Sequence, residues 1–460
     1  ARVVLGTNDI DFRARSHSGE ETVFLGNHVA GNRLGVTFAD LVKAPAVLLV
    51  AFEAEEEGGI VFLRLRKGVT NGTVKVTTVA PFISEGAAKL SATLLPTAPG
   101  TEAEVLAAID TTSSDETLAA TAQALSAPGA VILVGERLAG VAGGYTAALA
   151  LAERTGARLA WIPRRAGERG AVEAGALPTL LPGARPVEDP KARVDVATVW
   201  GVSSVPDEPG RCVTQMLRAA ADGTLSGLVV GGVEVTDLPE PELARQALDR
   251  VFVVSLEIRQ SEVTEAADVV LPVAPPHERG GTFWNWEGRE RPFGQALTTY
   301  ALPEHRVINM LAQQMGTELG TGTLAEIHAE IEQFDPWDGE RIAAPEVEAG
   351  SPASVNAGEA LLASWRMLLD AGRCQDGEEY LAATAKRAIA RMSPATAQAA
   401  GVQVGEQVRI STDHGSVVLP VVLTDMPDHV VWVPTNSAGE LTTLGVTAGA
   451  VVRVAKEVSA

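Results

Sequence analysis

Seven short runs of aliphatic and β-branched residues, separated by stretches of helical length, constrain this chain more than any other feature. They are Ala44–Ala51, Val74–Val79, Ala130–Val134, Arg158–Ile162, Gly227–Gly231, Val251–Leu256 and Asp268–Val273. Val47-Leu48-Leu49-Val50, at the centre of the first, offers no polar face to water, the pattern of a strand buried on both sides. Helical stretches follow the runs: an acidic start at Glu53 through Arg66, the Ala-rich Ala139–Arg154, then Pro241–Asp249 and Glu262–Ala266. Strands and helices alternating at this length predict an α/β fold of doubly wound parallel sheets with right-handed crossovers.

The period changes towards the end. Short strands at Gln407–Ser411, Ser416–Leu423, Val430–Val433 and Ala450–Ala455, parted by turn residues such as Asp413, Gly415 and Asp428, predict a C-terminal β-barrel. Ahead of them, Ala360–Leu369 and Tyr380–Ala390 read as helices. Glu340–Glu359, acidic, free of aromatics and broken by Pro345, Gly350, Pro352 and Gly358, reads as a linker. Val307, Ile308, Leu311, Ala312 and Met315 fall at helical spacing, predicting an amphipathic helix over His305–Gly316 whose stripe faces a core. At 460 residues the chain exceeds what one core serves. The expected partition is a first α/β subdomain in residues 1–90, completed by 298–340, and a second in 91–297. An acidic linker and helix then span 341–379, and the barrel spans 380–460.

Charge narrows the partners. With 58 acidic against 37 basic residues, a net charge of −21 repels phosphate backbones and anionic headgroups, so no nucleic-acid partner is expected. The basic clusters Arg64, Arg66, Lys67 and Arg164, Arg165, Arg169 read as solvated rims. No apolar run approaches the ~20 residues of a membrane span. Cys212 and Cys374 belong to no ligand spacing, so no metal or iron–sulfur site is expected within this chain. A disulfide between them stays open, with the reduced state as the default. The start Ala1-Arg2-Val3-Val4, without Met or leader, predicts a cut through a longer polypeptide.

Three places could hold a ligand. Gly135 and the pair Gly231-Gly232 each follow an apolar run, where backbone N–H groups at a helix start can face an anion, although neither completes a dinucleotide fingerprint. Asn8, Asp9 and Asp11 follow Gly6-Thr7 in an aperiodic stretch that reads either as an oxygen-rich ligand loop or as a plain turn. His277-Glu278-Arg279 leads into Gly280-Gly281-Thr282-Phe283-Trp284-Asn285-Trp286-Glu287-Gly288-Arg289, which is either a binding crevice or a loop packed on its own tryptophans. No nucleophile elbow, Ser-x-x-Lys or His-Glu-x-x-His occurs, so no catalytic residue is expected.

Three ordered blocks carry a resemblance. Gly6-Thr7-Asn8-Asp9-Ile10-Asp11-Phe12-Arg13-Ala14-Arg15 resembles the Gly-Thr-Asn loop of the molybdopterin oxidoreductase superfamily. Val253-Val254-Ser255-Leu256-Glu257, Glu262, Ala267–Pro272 and Glu278 through Gly288-Arg289 look like its second block. Ser393-Pro394, Ala397, Gly401-Val402, Gly405, Val408, Gly415 and Val433-Pro434 resemble its dinucleotide-binding module. Within the superfamily, Asp11-Phe12-Arg13-Ala14-Arg15 and the stretch from Gly281-Thr282-Phe283 to Arg291-Pro292-Phe293 look most like the large iron–sulfur subunits of respiratory NADH:quinone oxidoreductase (complex I), in their actinobacterial form.

The resemblance implies a molybdopterin-enzyme fold serving as a structural part of the peripheral arm. In that family the 4Fe-4S and 2Fe-2S clusters lie upstream, the partners are flavin- and cluster-bearing subunits, and the location is the cytoplasmic side of the membrane without a span. Asn8 and Asp9, with Gly231 and Gly232, are the candidates it leaves for a vestigial pterin site. Two departures speak against a bound molybdopterin. Ser16 stands where formate dehydrogenases tend to have Cys, and the barrel runs from Asn436 to its last strand without the long pterin-clasping tail. Two rival expectations remain: a fragment of a molybdenum or tungsten bis-pterin oxidoreductase such as formate dehydrogenase, and a free-standing binding module.

Overall fold

A computed structural model describes residues 1–457. The chain folds as two compact units, one of Ala1–Arg33 with Arg165–Ala344 and the other of Leu34–Arg164 with Pro345–Ala460.

The second unit opens with a five-stranded parallel sheet of β1 (Ala46–Val50), β2 (Lys75–Ala80), β3 (Thr93–Pro96), β4 (Val131–Gly135) and β5 (Arg158–Ile162), in the order β3-β2-β1-β4-β5. β1 and β4 are buried at every position, which is why their sequences carry no polar alternation. The chain winds outward from β1 through β2 and β3, then returns to lay β4 on the other side of β1. The strand order therefore reverses between β1 and β4. Gly135 closes this pair tightly, because a Cβ there would drive into the Ala51 carbonyl oxygen.

In the first unit, β6 (Leu180–Leu181) and β7 (Arg185–Pro186) form a small antiparallel pair. β8 (Gly227–Gly231), β9 (Phe252–Glu257) and β10 (Val269–Pro272) form a parallel sheet ordered β10-β9-β8. The helices Val213–Asp222 and Pro241–Arg250 pack on one face through Ala220, Ala244, Ala247, Leu248 and Val253. A hairpin of β11 (Gly281–Trp284) and β12 (Glu290–Phe293) follows. The helix Glu304–Gln314 forms where its spacing places it, but its stripe is only half core. Val307 and Ala312 are buried, whereas Ile308 and Met315 are 45% and 58% exposed.

The barrel returns to the second unit as β13 (Glu359–Trp365), β14 (Ala390–Met392), β15 (Gln407–Ser411), β16 (Ser416–Leu423), β17 (Val430–Pro434) and β18 (Val451–Lys456), closed in the order β13-β17-β14-β16-β15-β18. Its core gathers Leu362, Met392, Val408, Ile410, Val421, Val431, Val433 and Val452.

Three expectations need correction. A division at residue 90/91 does not follow the sheets, because β4 and β5 lie on the same sheet as β1. The helix expected over Ala360–Leu369 is strand β13, paired in parallel with β17 and antiparallel with β18, so the barrel starts ahead of residue 380. Ala360–Trp365, apolar but for Ser364 and buried throughout, has no period to separate strand from helix, and barrel closure decides. The helix expected over Tyr380–Ala390 is reduced to the single turn Glu379–Ala382.

Candidate functional site

The Gly-Thr-Asn loop is anchored through Asn8, which is buried while Gly6 stays exposed. Asn8 accepts a hydrogen bond from Arg2 Nε at 2.7 Å and donates through Nδ2 to the carbonyls of Pro206 (3.1 Å) and Glu208 (2.8 Å). Arg2 in turn donates to the carbonyls of Gly175, Leu177 and Leu180. Asp9 receives the Arg211 backbone N–H at 2.7 Å and the Arg211 guanidinium at 3.0 Å. The amide and the carboxylate are thus turned to the protein's own chain. Gly210 is required beneath them, since a Cβ would collide with the Asn8 carbonyl.

Behind the loop runs a buried chain of alternating charges. Asp11 meets Arg13 at 2.7 Å, Arg13 meets Glu21 at 3.3 Å, Glu21 meets Arg15 at 2.8 Å, and Arg15 meets Glu168 at 3.1 Å. Burial would raise the Asp11 pKa, but the Arg13 guanidinium outweighs it and holds the carboxyl below the ordinary range. Asp-Phe-Arg-Ala-Arg is therefore the sequence of an internal ion-pair chain.

Gly231 and Gly232 close β8, an edge strand of its sheet. Gly232 has φ +62°, the left-handed region that favours glycine, while a Cβ on Gly231 would make only an ordinary contact with Leu256. The structure seats Asn8 and Asp9 against the 206–211 segment and the two glycines at the end of β8.

The aromatic loop is the hairpin of β11 and β12, held by a phenylalanine stack and by Arg33. Phe283 and Phe293 stack across the hairpin with ring centroids 5.1 Å apart, and the Arg33 guanidinium lies 3.9 Å from the Trp284 ring centre. Glu287 is buried, accepts from Asn285 at 2.8 Å and pairs with Arg289 at 3.3 Å.

The place where a doubly wound sheet receives ligands is the crevice at its strand-order reversal. Here it lies beyond the ends of β1 and β4, and it is acid-rich. Phe52 and Glu53 leave β1, while Glu136 and Arg137 leave β4. Arg137 forks onto Glu57 at 2.8 and 3.1 Å and lies over the Trp365 ring. Trp365 belongs to a buried cluster with Phe82 and Trp432, its ring centroid 4.8 Å from that of Trp432. Burial, only partly offset by the Ser84 hydroxyl and reinforced by Glu57, pushes the Glu53 pKa up to about 7. Burial also pushes Glu102 above the ordinary carboxylate range, although its carboxylate accepts the Gly100 N–H at 2.8 Å. Carboxylates predominate there, with the Arg137 guanidinium committed to Glu57 and that of Arg164 to Glu136, a poor donor set for a pyrophosphate. The residues in this crevice do not fit an anionic dinucleotide.

Sequence reading misses this cluster. Glu53–Glu57 announces itself as a helix start, but nothing in it signals that Arg137 and Trp365 fold onto it. Both cysteines are free. Among the described residues no group of three or more His, Cys, Asp or Glu is placed to hold a metal ion, and no helix is long and apolar enough to cross a membrane.

Comparison with known proteins follows the same lines. The family model described as molybdopterin oxidoreductase matches residues 5–300, and that described as molydopterin dinucleotide binding domain matches residues 374–459. The chain is 52% identical over 461 residues to the G subunit of NADH-quinone oxidoreductase from Mycobacterium tuberculosis, covering 99% of this chain and 56% of that protein. It is 51% identical over 478 residues to the G subunit from Streptomyces coelicolor, covering 99% and 57%. The alpha subunit of F420-dependent formate dehydrogenase 2 from Methanococcus maripaludis is more distant, 26% identical over 392 residues, covering 73% of this chain and 57% of that one. Acetylene hydratase from Pelobacter acetylenicus shares the fold with a TM-score of 0.56 at 15% identity, covering 95% of this chain and 81% of that structure. The chain thus spans a little over half the length of the two G subunits that it matches.

Proposed function

This chain belongs to the molybdopterin oxidoreductase family, and from that premise we propose that it is a structural segment of the G subunit of an NADH:quinone oxidoreductase. In this reading it supports electron transfer from NADH to quinone through 4Fe-4S and 2Fe-2S clusters held in other parts of the same polypeptide. The observation that carries the proposal is identity of about half of all positions, along essentially the whole chain, to proteins that bear that name.

The geometry agrees with a scaffold. The Gly-Thr-Asn loop spends Asn8 and Asp9 on internal bonds, and the crevice of the first sheet is lined by Glu53, Glu57 and Arg137. Both features favour a fold that no longer holds a pterin dinucleotide, with Asn8, Asp9, Gly231 and Gly232 as remnants of its site. No electron-transfer step is assigned to any residue of the chain. The partners would be the flavin- and cluster-bearing subunits of a peripheral arm on the cytoplasmic side of the membrane.

The test is affinity purification, from its own host, of the native protein that carries this segment. Flavin, iron and NADH:quinone reductase activity are expected to co-elute with it. A monodisperse protein that elutes without flavin or iron would overturn the proposal.

A further inference from the structure

The helix Gly59–Thr70 has two faces. Val61, Phe62, Leu65 and Gly68 are buried, whereas Ile60, Leu63, Arg64 and Lys67, spaced i, i+3, i+4 and i+7, form an outer stripe. On that stripe Ile60 is 57% and Leu63 55% exposed. A solvated rim accounts for the cations but leaves the two aliphatic side chains between them unexplained.

Charge sets this face apart from the rest of an acidic chain. Neither Leu41–Phe52 nor Gly58–Ser84 contains an Asp or Glu, yet Lys43, Arg64, Arg66, Lys67 and Lys75 all lie there and are exposed. Packing gathers them. The Thr73 hydroxyl donates to the Val42 carbonyl at 2.8 Å, and Gly68 lies so close to that carbonyl and to Val74 that a Cβ would collide. Lys43 and Lys75 therefore emerge beside the Lys67 end of the helix. The acids nearest in sequence are committed elsewhere, Asp40 to Arg158 at 3.3 Å, Glu57 to Arg137 at 2.8 Å and Glu85 to Lys386 at 2.9 Å. Among the described residues none of the five cations meets a carboxylate.

We propose that this outer stripe, centred on Leu63 and Arg64, docks an acidic surface of another protein subunit. Ile60 and Leu63 seat among that subunit's apolar side chains, and the cations around them face its carboxylates, the apolar centre and charged rim of a protein interface. The same chemistry disfavours other occupants. A second copy meeting this one through the same patch would set cations against cations. Two aliphatic side chains without an aromatic give too little apolar area for a helix lying in a membrane surface, and the net charge of −21 repels anionic headgroups. The inference rests on the proposed membership of a multisubunit assembly and names a face through which the chain would join it.

The experiment is zero-length carbodiimide coupling of amines to carboxylates on the native full-length protein, purified with whatever subunits accompany it, and identification of the joined peptides by mass spectrometry. Lys67, with Lys43 or Lys75, is expected to couple to Asp or Glu of another subunit. Leu63→Glu combined with Arg64→Glu should lower that coupling roughly tenfold, whereas Lys191→Glu, on the surface of the other unit, should leave it unchanged. Coupling of these lysines only within their own polypeptide, only to a second copy, or to nothing would overturn the inference, as would coupling indifferent to the double variant. Flotation of the parent, but not of the double variant, with phosphatidylglycerol vesicles would assign the face to a membrane and overturn it too. Should the double variant unfold, the coupling pattern of the parent decides alone. A protein that purifies without other subunits defeats the proposed function together with this inference, whereas accompanying subunits that leave these lysines uncoupled defeat this inference alone.

Discussion

Glu53 is the group whose titration the fold alters most usefully. It leaves β1 into the crevice at 7% exposure, beside Glu57 and Ser84, and burial lifts its pKa from 4.5 to about 7. The folded protein therefore holds this proton where the unfolded chain has released it. The stability so contributed is fully present below pH 4.5 and is lost as pH rises through about 7. Across that window the loss amounts to about 3 kcal/mol. Glu53→Gln, neutral at every pH and close in shape to the protonated acid, abolishes the dependence. The variant should match the parent near pH 4.5 and exceed it by about 2–3 kcal/mol at pH 8. Denaturant unfolding followed through the fluorescence of Trp365 and Trp432, which share a unit with Glu53, reads this directly. A difference independent of pH, or one that grows towards acid, refutes the reasoning.

The other predictions follow from the same packing. Arg13→Met strands Asp11 and Glu21 without a counter-charge in a buried site, and should cost about 3–5 kcal/mol in denaturant unfolding of the unit that holds them. Asn8→Ala leaves the Arg2 Nε and two carbonyls short of a partner. A loss of about 2 kcal/mol is expected and, on the proposed function, no change in NADH:quinone reductase activity, whereas a lost redox activity in a folded variant would give the loop a chemical role. Gly135→Ala forces a methyl group into the Ala51 carbonyl between two fully buried strands, and a loss of about 1–3 kcal/mol should appear as a lowered unfolding midpoint.

What the sequence discloses depends on whether a feature is local. β5 and β8 run over the residues their branching marks, and Glu262–Ala266 begins where Ser261 caps it through Thr264. β13 escapes a sequence reading because Ala360–Trp365 is apolar at nearly every position, and its state is decided by pairing with β17 and β18, far along the chain. The assignment of β4 beside β1 is equally non-local, since a crossover can return to either side of a strand. The Gly-Thr-Asn loop is visible as a motif, but its use is not. Whether Asn8 faces a ligand or the Glu208 carbonyl depends on a segment some 200 residues away. Glu53 and Arg137 carry no spacing signal for the same reason. Of the stripe Val307, Ile308, Leu311, Ala312 and Met315, only Val307 and Ala312 are buried, because periodicity reports which residues share a helix face and not how much of that face is covered.

The central claim is a molybdopterin-enzyme fold used as a scaffold without its cofactor. The most direct measurement is molybdenum, tungsten and iron content, with pterin fluorescence after oxidative release, on the native full-length protein. Iron with no molybdenum, tungsten or pterin is the predicted result. Stoichiometric molybdenum or tungsten accompanied by pterin would contradict the claim and mark the protein as a cofactor-bearing oxidoreductase.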